Sequence, residues 1–299
     1  MSKFNNWLNA FRLRTLPLAL ASILMGIAAS EMHGVFNLDV SIFAIITTLF
    51  LQILSNLAND YGDGIKGTDN ENRLGPKRTI QSGLISIEEM RNAIIVFSIF
   101  SLVSGLYLVY ISQINILEIT IFILLGVFAI LAAIFYTVGE KSYGYRGWGD
   151  IFVFLFFGLL AVLGSFYLNA KYFSLDVVFP AITVGLLSTA VLNLNNIRDL
   201  KNDKENGKMT IAVKLGVKRA KFYHTLLINL AFFALLLFVS MSATAWQNYF
   251  VFFMYPFFLM DLLKIDKETD LKKLDPYLKK TALKTFLLVL IFTLLVFIY

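Results

Sequence analysis

Two short polar strings interrupt an otherwise strongly apolar chain: Asn56-Leu-Ala-Asn59-Asp60-Tyr-Gly-Asp63-Gly-Ile-Lys66-Gly-Thr-Asp69 and Asn195-Asn196-Ile-Arg198-Asp199-Leu-Lys201-Asn-Asp203. Asn195, Asp199 and Asp203 recur every four residues, the spacing that puts three side chains on one stripe of a helix. Asn56, Asn59, Asp60 and Asp63 make a similar stripe, after which Gly62, Gly64 and Gly67 are expected to let the backbone unwind and bring Lys66 and Asp69 round. Carboxylates gathered this closely repel one another unless a cation joins them. The strings offer oxygen donors and no His or Cys, which suits a hard ion, with Mg²⁺ as the candidate. Mg²⁺ takes one or two carboxylates plus phosphate oxygens rather than a full protein cage, so a phosphate-bearing ligand between the strings is implied. Taken one by one, these residues could equally cap helix ends or sit in solvated loops. Two such strings at the edges of apolar runs favour a site, because acids beside hydrocarbon are expensive to keep.

Basic residues surround both strings. Lys66, Arg198 and Lys201 fall in helical register with the acids and are placed to hold diphosphate oxygens, as Lys point charges or an Arg fork. Many of the others, among them Arg73, Lys77, Arg78, Lys204 and Lys208, read as ordinary loop charge. Arg12 and Arg14, just before Thr15-Leu-Pro17, face the same water layer and either bind an acidic substrate or anchor a helix. Lys141 and Tyr143 lie in a glycine-rich loop, residues 139–150, that could approach a ligand closely or simply form an interfacial turn. Among the many aromatic residues, Tyr136 stands out by its place at the same end of a span as the acids.

Positioning these residues falls to membrane-spanning helices. The hydrophobic fraction is 58%, charged residues are 15% and the mean hydropathy is +0.73, outside the range of a water-soluble domain of this size. Apolar stretches of roughly 17 to 25 residues number nine, near 15–30, 40–58, 92–111, 117–137, 151–169, 176–194, 222–242, 247–263 and 282–298. Apart from Lys171 and Lys284, every Lys and Arg falls in the N-terminal segment or in alternate loops. Positive charge collects on the cytoplasmic side, so the chain is expected to start inside and end outside, with both acidic strings facing the cytoplasm. The net charge of +6 follows from that bias and from anionic lipid headgroups, and nucleic acid is not implied. Ala28-Ala29-Ser30 resembles a signal-peptidase site, but the eight spans that follow favour a retained first helix. The absence of cysteine removes disulfides and thiolate ligands. No linker divides the chain, so one all-α bundle over 1–299 is expected. The shared form Asn59-x-x-x-Asp63 and Asn195-x-x-x-Asp199, four spans apart, hints at two parallel halves.

These motifs resemble the UbiA superfamily of intramembrane aromatic prenyltransferases, which carry Asp-rich motifs on the second and sixth of nine helices. Asn59-x-x-x-Asp63 with Lys66-Gly67-x-Asp69 resembles the first motif and Asn195-x-x-Arg198-Asp199-x-x-x-Asp203 the second, followed by the similar segment 207–216. Segments 12–17, 56–63, 81–86 and 143–150 resemble the branch that prenylates 1,4-dihydroxy-2-naphthoate in menaquinone synthesis. Gly67 stands where a further acid of the first motif is common, with Asp69 as its possible replacement, and Lys141-Ser-Tyr143 departs from an expected Arg-Pro-Tyr. The resemblance implies a Mg²⁺-dependent transferase of a bacterial inner membrane, embedded in its lipids, whose partners are a polyprenyl diphosphate and the naphthoate acceptor. It makes Asp60, Asp63, Asp199 and Asp203 the catalytic acids, with Asp63, Asp69, Asp199 and Asp203 on the metal. Asn59, Lys66, Arg14, Lys141, Tyr143, Asn195, Arg198, Lys201 and Tyr136 are then expected on the substrates. A sibling enzyme acting on 4-hydroxybenzoate is the nearest alternative. A secondary transporter is a more distant one, since it would place its ionisable residues at the bilayer midplane and not at one edge.

Overall fold

In the computed structural model, which describes residues 3–71, 73–241 and 246–299, the chain is helical, with no strand among the described residues. A short helix α1 (Lys3–Phe11) leads into α2 (Leu16–Met32), followed by α3 (Leu38–Ile65), α4 (Ile87–Ile111) and α5 (Ile116–Phe135). The fifth span is composite: α6 (Gly149–Val153), a π-helical stretch over Phe154–Leu163, and α7 (Gly164–Ala170). Then come α8 (Val178–Arg198), the short α9 (Leu200–Glu205), α10 (Ile211–Met241), α11 (Tyr255–Lys267) and α12 (Asp275–Ile298). Among the described residues nine helical units are long and apolar enough to cross a membrane, the number expected from hydropathy. Their ends differ from the apolar runs where polar residues stay helical. The second span continues to Ile65 instead of stopping near 58, and the sixth runs to Arg198 instead of 194. The seventh begins at Ile211, with a break at Gly216 (φ 73°), while its expected end at 242 lies outside the described residues.

Helices in lipid gain nothing from hiding apolar surface, so they associate where small residues let backbones approach. Along α2, Ala19, Ala21, Ser22, Gly26, Ala28, Ala29 and Ser30 are buried. A Cβ at Gly26 would fall 2.0 Å from Ser165 Oγ, so α2 and the fifth span meet with no room for a side chain. Gly158 and Gly185 repeat this at the crossing of the π stretch with α8, where a Cβ on Gly158 would sit 2.7 Å from the Gly185 Cα. At the other extreme, α5 turns Ile116, Leu117 and Leu124 outward, each more than 60% exposed, as a lipid-facing helix should. Capping boxes begin two of the spans. Ser86 and Glu89 exchange bonds of 3.2 and 3.0 Å at α4, and Asn115 and Glu118 exchange two of 3.0 Å at α5.

The extra turns of α3 place the first acidic string. Gly62 and Gly64 stay helical and do not unwind as expected; the left-handed residue is Gly67 (φ 71°). Gly62 is needed because Thr137, at the end of α5, lies against it: a Cβ would be 2.7 Å from the Thr137 carbonyl carbon. In the second string the helical bonding barely lapses, since Asp199 N–H donates to Asn195 O (3.1 Å) and Asp203 N–H to Asp199 O (2.8 Å).

Candidate active site

The two acidic strings converge at one end of the bundle. Asn202 Nδ2 donates to Thr68 O at 2.9 Å, tying α9 to the loop after α3. Arg73 joins the strings by charge, its Nε 2.9 Å from Asp69 and its Nη2 3.6 Å from Asp199. Asp63, Asp69, Asp199 and Asp203 are all buried, at 7%, 7%, 4% and 4% exposure. Charge in such a place must be paired or used.

The four acids are engaged to different degrees. Asp199 receives Arg198 Nε at 2.9 Å and Nη2 at 2.6 Å. Burial would raise its carboxyl, but the bonds and charge of Arg198, helped by Arg73 and Lys208, hold it below the ordinary value. Asp69 is flanked by Arg73 and by Arg78, whose Nε is 3.7 Å away, yet burial leaves it above its ordinary value. Asp63 accepts from the Tyr145 hydroxyl at 2.8 Å and lies 3.5 Å from Lys208 Nζ. Asp203 has no side-chain hydrogen bond or salt bridge among the described residues. Burial, with Asp199 and Asp63 as further negative charge, pushes it up to about 7 against the pull of Lys208. Asp60 accepts from Thr79 N (3.2 Å) and Oγ1 (2.5 Å), leaving its buried Oδ1 without a partner.

Tyr145 and Lys208 complete the cluster. The Tyr145 hydroxyl also meets Thr68 Oγ1 at 2.5 Å, and its ring lies under Lys66 Nζ (4.0 Å to the centroid) and Lys208 Nζ (5.1 Å). Lys66 is further bonded to Ser142. Burial alone would lower Lys208, but Asp63, Asp203 and Tyr145 hold it above its ordinary value, a fully charged ammonium.

A cavity of about 420 Å³ opens beside this cluster, with Asn59, Asp63, Asn195 and Lys208 at its polar end. Its walls continue as Phe156, Phe157, Leu160, Leu108 and Val109, so the space is charged at one end and hydrocarbon-like along the rest. Tyr136 and Tyr143 stand at the junction with rings edge to face at 5.2 Å, and Tyr143 stacks on Phe152 at 4.1 Å while donating to Ala132 O at 2.8 Å. A second cavity of about 440 Å³ lies on the other side of Arg12 and Arg78.

Of the residues singled out in the sequence, Asn59, Asp63, Tyr136, Tyr143 and Asn195 line the first cavity. Asp69, Asp199 and Asp203 are gathered next to Asp63 and Lys208. Other residues lie elsewhere. Lys141 and Lys201 are exposed, because Lys141 lies on the outer side of its turn and Lys201 points away from the stripe that buries Asp199 and Asp203. Arg14 is exposed and lines the second cavity. Arg198 is 1% exposed and spends its guanidinium on Asp199, Asn195 (2.8 Å) and Asp275, so it braces the helix end from within. Spacing alone does not single out Lys208, Arg73 or Tyr145. Tyr145 lies two residues past Tyr143 in the same glycine-rich loop, and Lys208 one residue past Gly207, whose left-handed turn (φ 71°) brings the chain back to the acids.

The donor set fits Mg²⁺. The oxygens gathered here are carboxylates and amides, and Asp203 is a buried acid with no side-chain hydrogen bond or ion pair among the described residues. No three acidic or imidazole side chains among the described residues form a ready metal cage.

Comparison with known proteins fits this geometry. Residues 19–283 match the UbiA prenyltransferase family. The 1,4-dihydroxy-2-naphthoate octaprenyltransferase of Escherichia coli is 41% identical, covering 100% of this chain and 97% of the relative. That of Haemophilus influenzae is also 41% identical, covering 98% and 96%. In fold, the chain is similar to a UbiA homologue from Archaeoglobus fulgidus bound to DMAPP and Mg²⁺, with a TM-score of 0.63, 18% identity and coverage of 96% and 99%. The acids at one end of nine helices, the amphiphilic cavity beside them and relatives matched along almost their whole length lead to one conclusion: the chain belongs to the UbiA prenyltransferase family.

Proposed function

We propose that the protein transfers a polyprenyl group from polyprenyl diphosphate to 1,4-dihydroxy-2-naphthoate, with loss of the acceptor's carboxyl group as CO₂, in menaquinone biosynthesis. The observation that carries this reading is the cavity, in which a hydrocarbon-lined space leads to Asp63 and Lys208 at its charged end. An amphiphile with a polyanionic head and a long apolar tail matches that polarity along its length. The near-full-length likeness to naphthoate octaprenyltransferases supports the choice of acceptor.

In this mechanism Asp63 and Asp203 would hold Mg²⁺, with Asp199 and Asp69 beside them. The ion, when bound, neutralises charge on the diphosphate and makes it a better leaving group. Lys208 adds a fixed positive charge where negative charge builds up as the allylic C–O bond breaks. The rings of Tyr136, Tyr143 and Phe152 present their faces and edges near the developing allylic cation, and the apolar walls keep water from capturing it. The electron-rich ring attacks through the carbon that bears the carboxylate. A C–C bond forms, diphosphate leaves, and the C–CO₂ bond gives its electron pair back to the ring as CO₂ departs. The product is the prenylated diol, the reduced form of demethylmenaquinone. The charge distribution along the loops supports an acidic end at the cytoplasmic face of a bacterial inner membrane.

Mass spectrometry of products tests the reading. Purified protein would be incubated with a polyprenyl diphosphate, Mg²⁺ and either 1,4-dihydroxy-2-naphthoate or 4-hydroxybenzoate, with and without chelator. A chelator-sensitive, decarboxylated prenyl naphthalenediol or its quinone is expected. Prenylated 4-hydroxybenzoate in its place would overturn the choice of acceptor.

A further inference from the structure

Arg73 sits on the loop between α3 and α4, with its side chain 7% exposed. Its ion pairs reach both acidic strings, Asp69 in the first through Nε at 2.9 Å and Asp199 in the second through Nη2 at 3.6 Å. Among the described residues the other cations of the site, Arg78, Arg198 and Lys208, each pair with one string. The hold of Arg73 on its two acids is unequal. Asp199 is already taken by Arg198, whose Nε and Nη2 lie 2.9 and 2.6 Å away, so the contact with Arg73 is a second and longer one.

The loop closes over both guanidinium groups. Arg73 Nη1 donates to Pro76 O at 2.7 Å, and a Cβ on Gly75 would lie 2.6 Å from Arg198 Nη2 and 2.9 Å from Arg73 Nη1. Two like charges thus converge on one carboxylate and repel each other, and the one with the longer contact loses less by turning elsewhere. The charges of the site are also matched in number. Asp63, Asp69, Asp199 and Asp203 face Arg73, Arg78, Arg198 and Lys208. A bare divalent ion entering there is drawn by acids whose charge is already offset, and it is repelled by Arg73. An ion that arrives with a diphosphate carries net negative charge, for which a guanidinium fork is the matching group.

Resting on the diphosphate donor proposed above, we propose that Arg73 is a counter-cation that makes metal and diphosphate bind as one unit. It offsets the acids against a metal that comes alone. When metal and diphosphate come together, it exchanges its long contact with Asp199 for phosphate oxygens, while the shorter pairing with Asp69 keeps it beside the metal-holding acids. The acids then hold a metal firmly only with the donor present. One side chain that spans both strings thereby couples the two binding events, with no contact to the prenyl tail or to the acceptor.

The test uses full-length protein in detergent, as wild type, Arg73→Gln and the charge-preserving Arg73→Lys, with thermal unfolding as the check on folding. Binding of Mn²⁺ alone is followed by the electron paramagnetic resonance of the free ion. Binding of radiolabelled inorganic diphosphate is followed by equilibrium dialysis with and without Mn²⁺, corrected for the complex the two form in solution. In the wild type, diphosphate is expected to tighten Mn²⁺ binding about tenfold or more, and Mn²⁺ to tighten diphosphate binding by the same factor, as linkage requires. Arg73→Gln should act with opposite signs, making Mn²⁺ alone bind about tenfold tighter and diphosphate with Mn²⁺ about tenfold weaker. Arg73→Lys should bind Mn²⁺ as the wild type does and recover part of the diphosphate loss. Equal Mn²⁺ affinity with and without diphosphate in the wild type would overturn the proposal without recourse to a variant. Weaker or unchanged binding of Mn²⁺ alone by a folded Arg73→Gln would also overturn it and leave Arg73 as a brace of the loop. Both measurements omit the acceptor, so a failure of the naphthoate reading, seen in product analysis, stays separate. A wild type that binds neither Mn²⁺ nor diphosphate would overturn both.

Discussion

The two acidic strings reach the same place by different means. In the second, the helix does the positioning: α8 passes into α9 with hydrogen bonds nearly unbroken, Asp199 is clamped by Arg198, and Asp203 follows one turn later with no side-chain partner among the described residues. In the first, the helix ends at Ile65 and a loop takes over, with Arg73 and Arg78 on Asp69, Thr79 on Asp60, and Tyr145 and Lys208 on Asp63. Each string therefore commits most of its acids to neighbouring protein: Asp63 lines the cavity while still held by Tyr145 and Lys208, and Asp203 has no side-chain hydrogen bond or ion pair among the described residues. Most of these acids are built into the scaffold of the site.

That division can be broken at its scaffold first. Arg198→Ala would leave Asp199 buried without its partner, at a cost of about 3–5 kcal/mol, read as a lower Tm and a poor yield of folded protein. A variant as stable as the parent would show that Arg198 is no brace. Asp203→Asn is expected to act in the opposite sense, with kcat down about 100-fold and Tm unchanged or raised, because an unpaired buried acid is removed. Product formation and thermal unfolding on the same preparation would separate the two cases, and a stable, fully active Asp203→Asn variant would place the ligand elsewhere. Tyr145→Phe removes the hydroxyl that links Thr68 to Asp63 but keeps the ring under both lysines. A rise of about tenfold in donor KM, with acceptor KM unchanged, would mark the first string as the one adjusted by its loop. Lys141→Ala and Lys201→Ala, both exposed, should stay within about twofold of wild-type kcat/KM. A larger loss from either would return those lysines to the substrate.

Hydropathy makes the number of spans legible because a span must be apolar throughout its length, whatever it packs against. The four-residue spacing of Asn195, Asp199 and Asp203 likewise foretells a shared stripe, since helical periodicity survives into the loop there. Gly62 shows what stays hidden. Its residue type suggests unwinding, and the structure uses it for close packing against Thr137, a contact far along the chain that no local pattern records. Lys201 and Lys208 show the same limit: register favours Lys201, but a left-handed turn at Gly207 carries Lys208 back to Asp63. The charge of Arg198 suggests a ligand for phosphate, and its partner Asp275 lies on a helix that no sequence pattern places beside it.

Between Phe154 and Leu163 the helical hydrogen bonds reach back five residues where those of an α-helix reach back four, so each turn is wider. Which of its side chains face the cavity, and where Gly158 meets Gly185, is therefore decided by counting residues along the span. The surrounding lipid is indifferent to that count, since one leucine more or less hardly alters the cost of crossing it. The span thus answers to two readers: the bilayer weighs its apolarity, while α8 and the cavity depend on its phase, and drift that the first would tolerate the second would register at once.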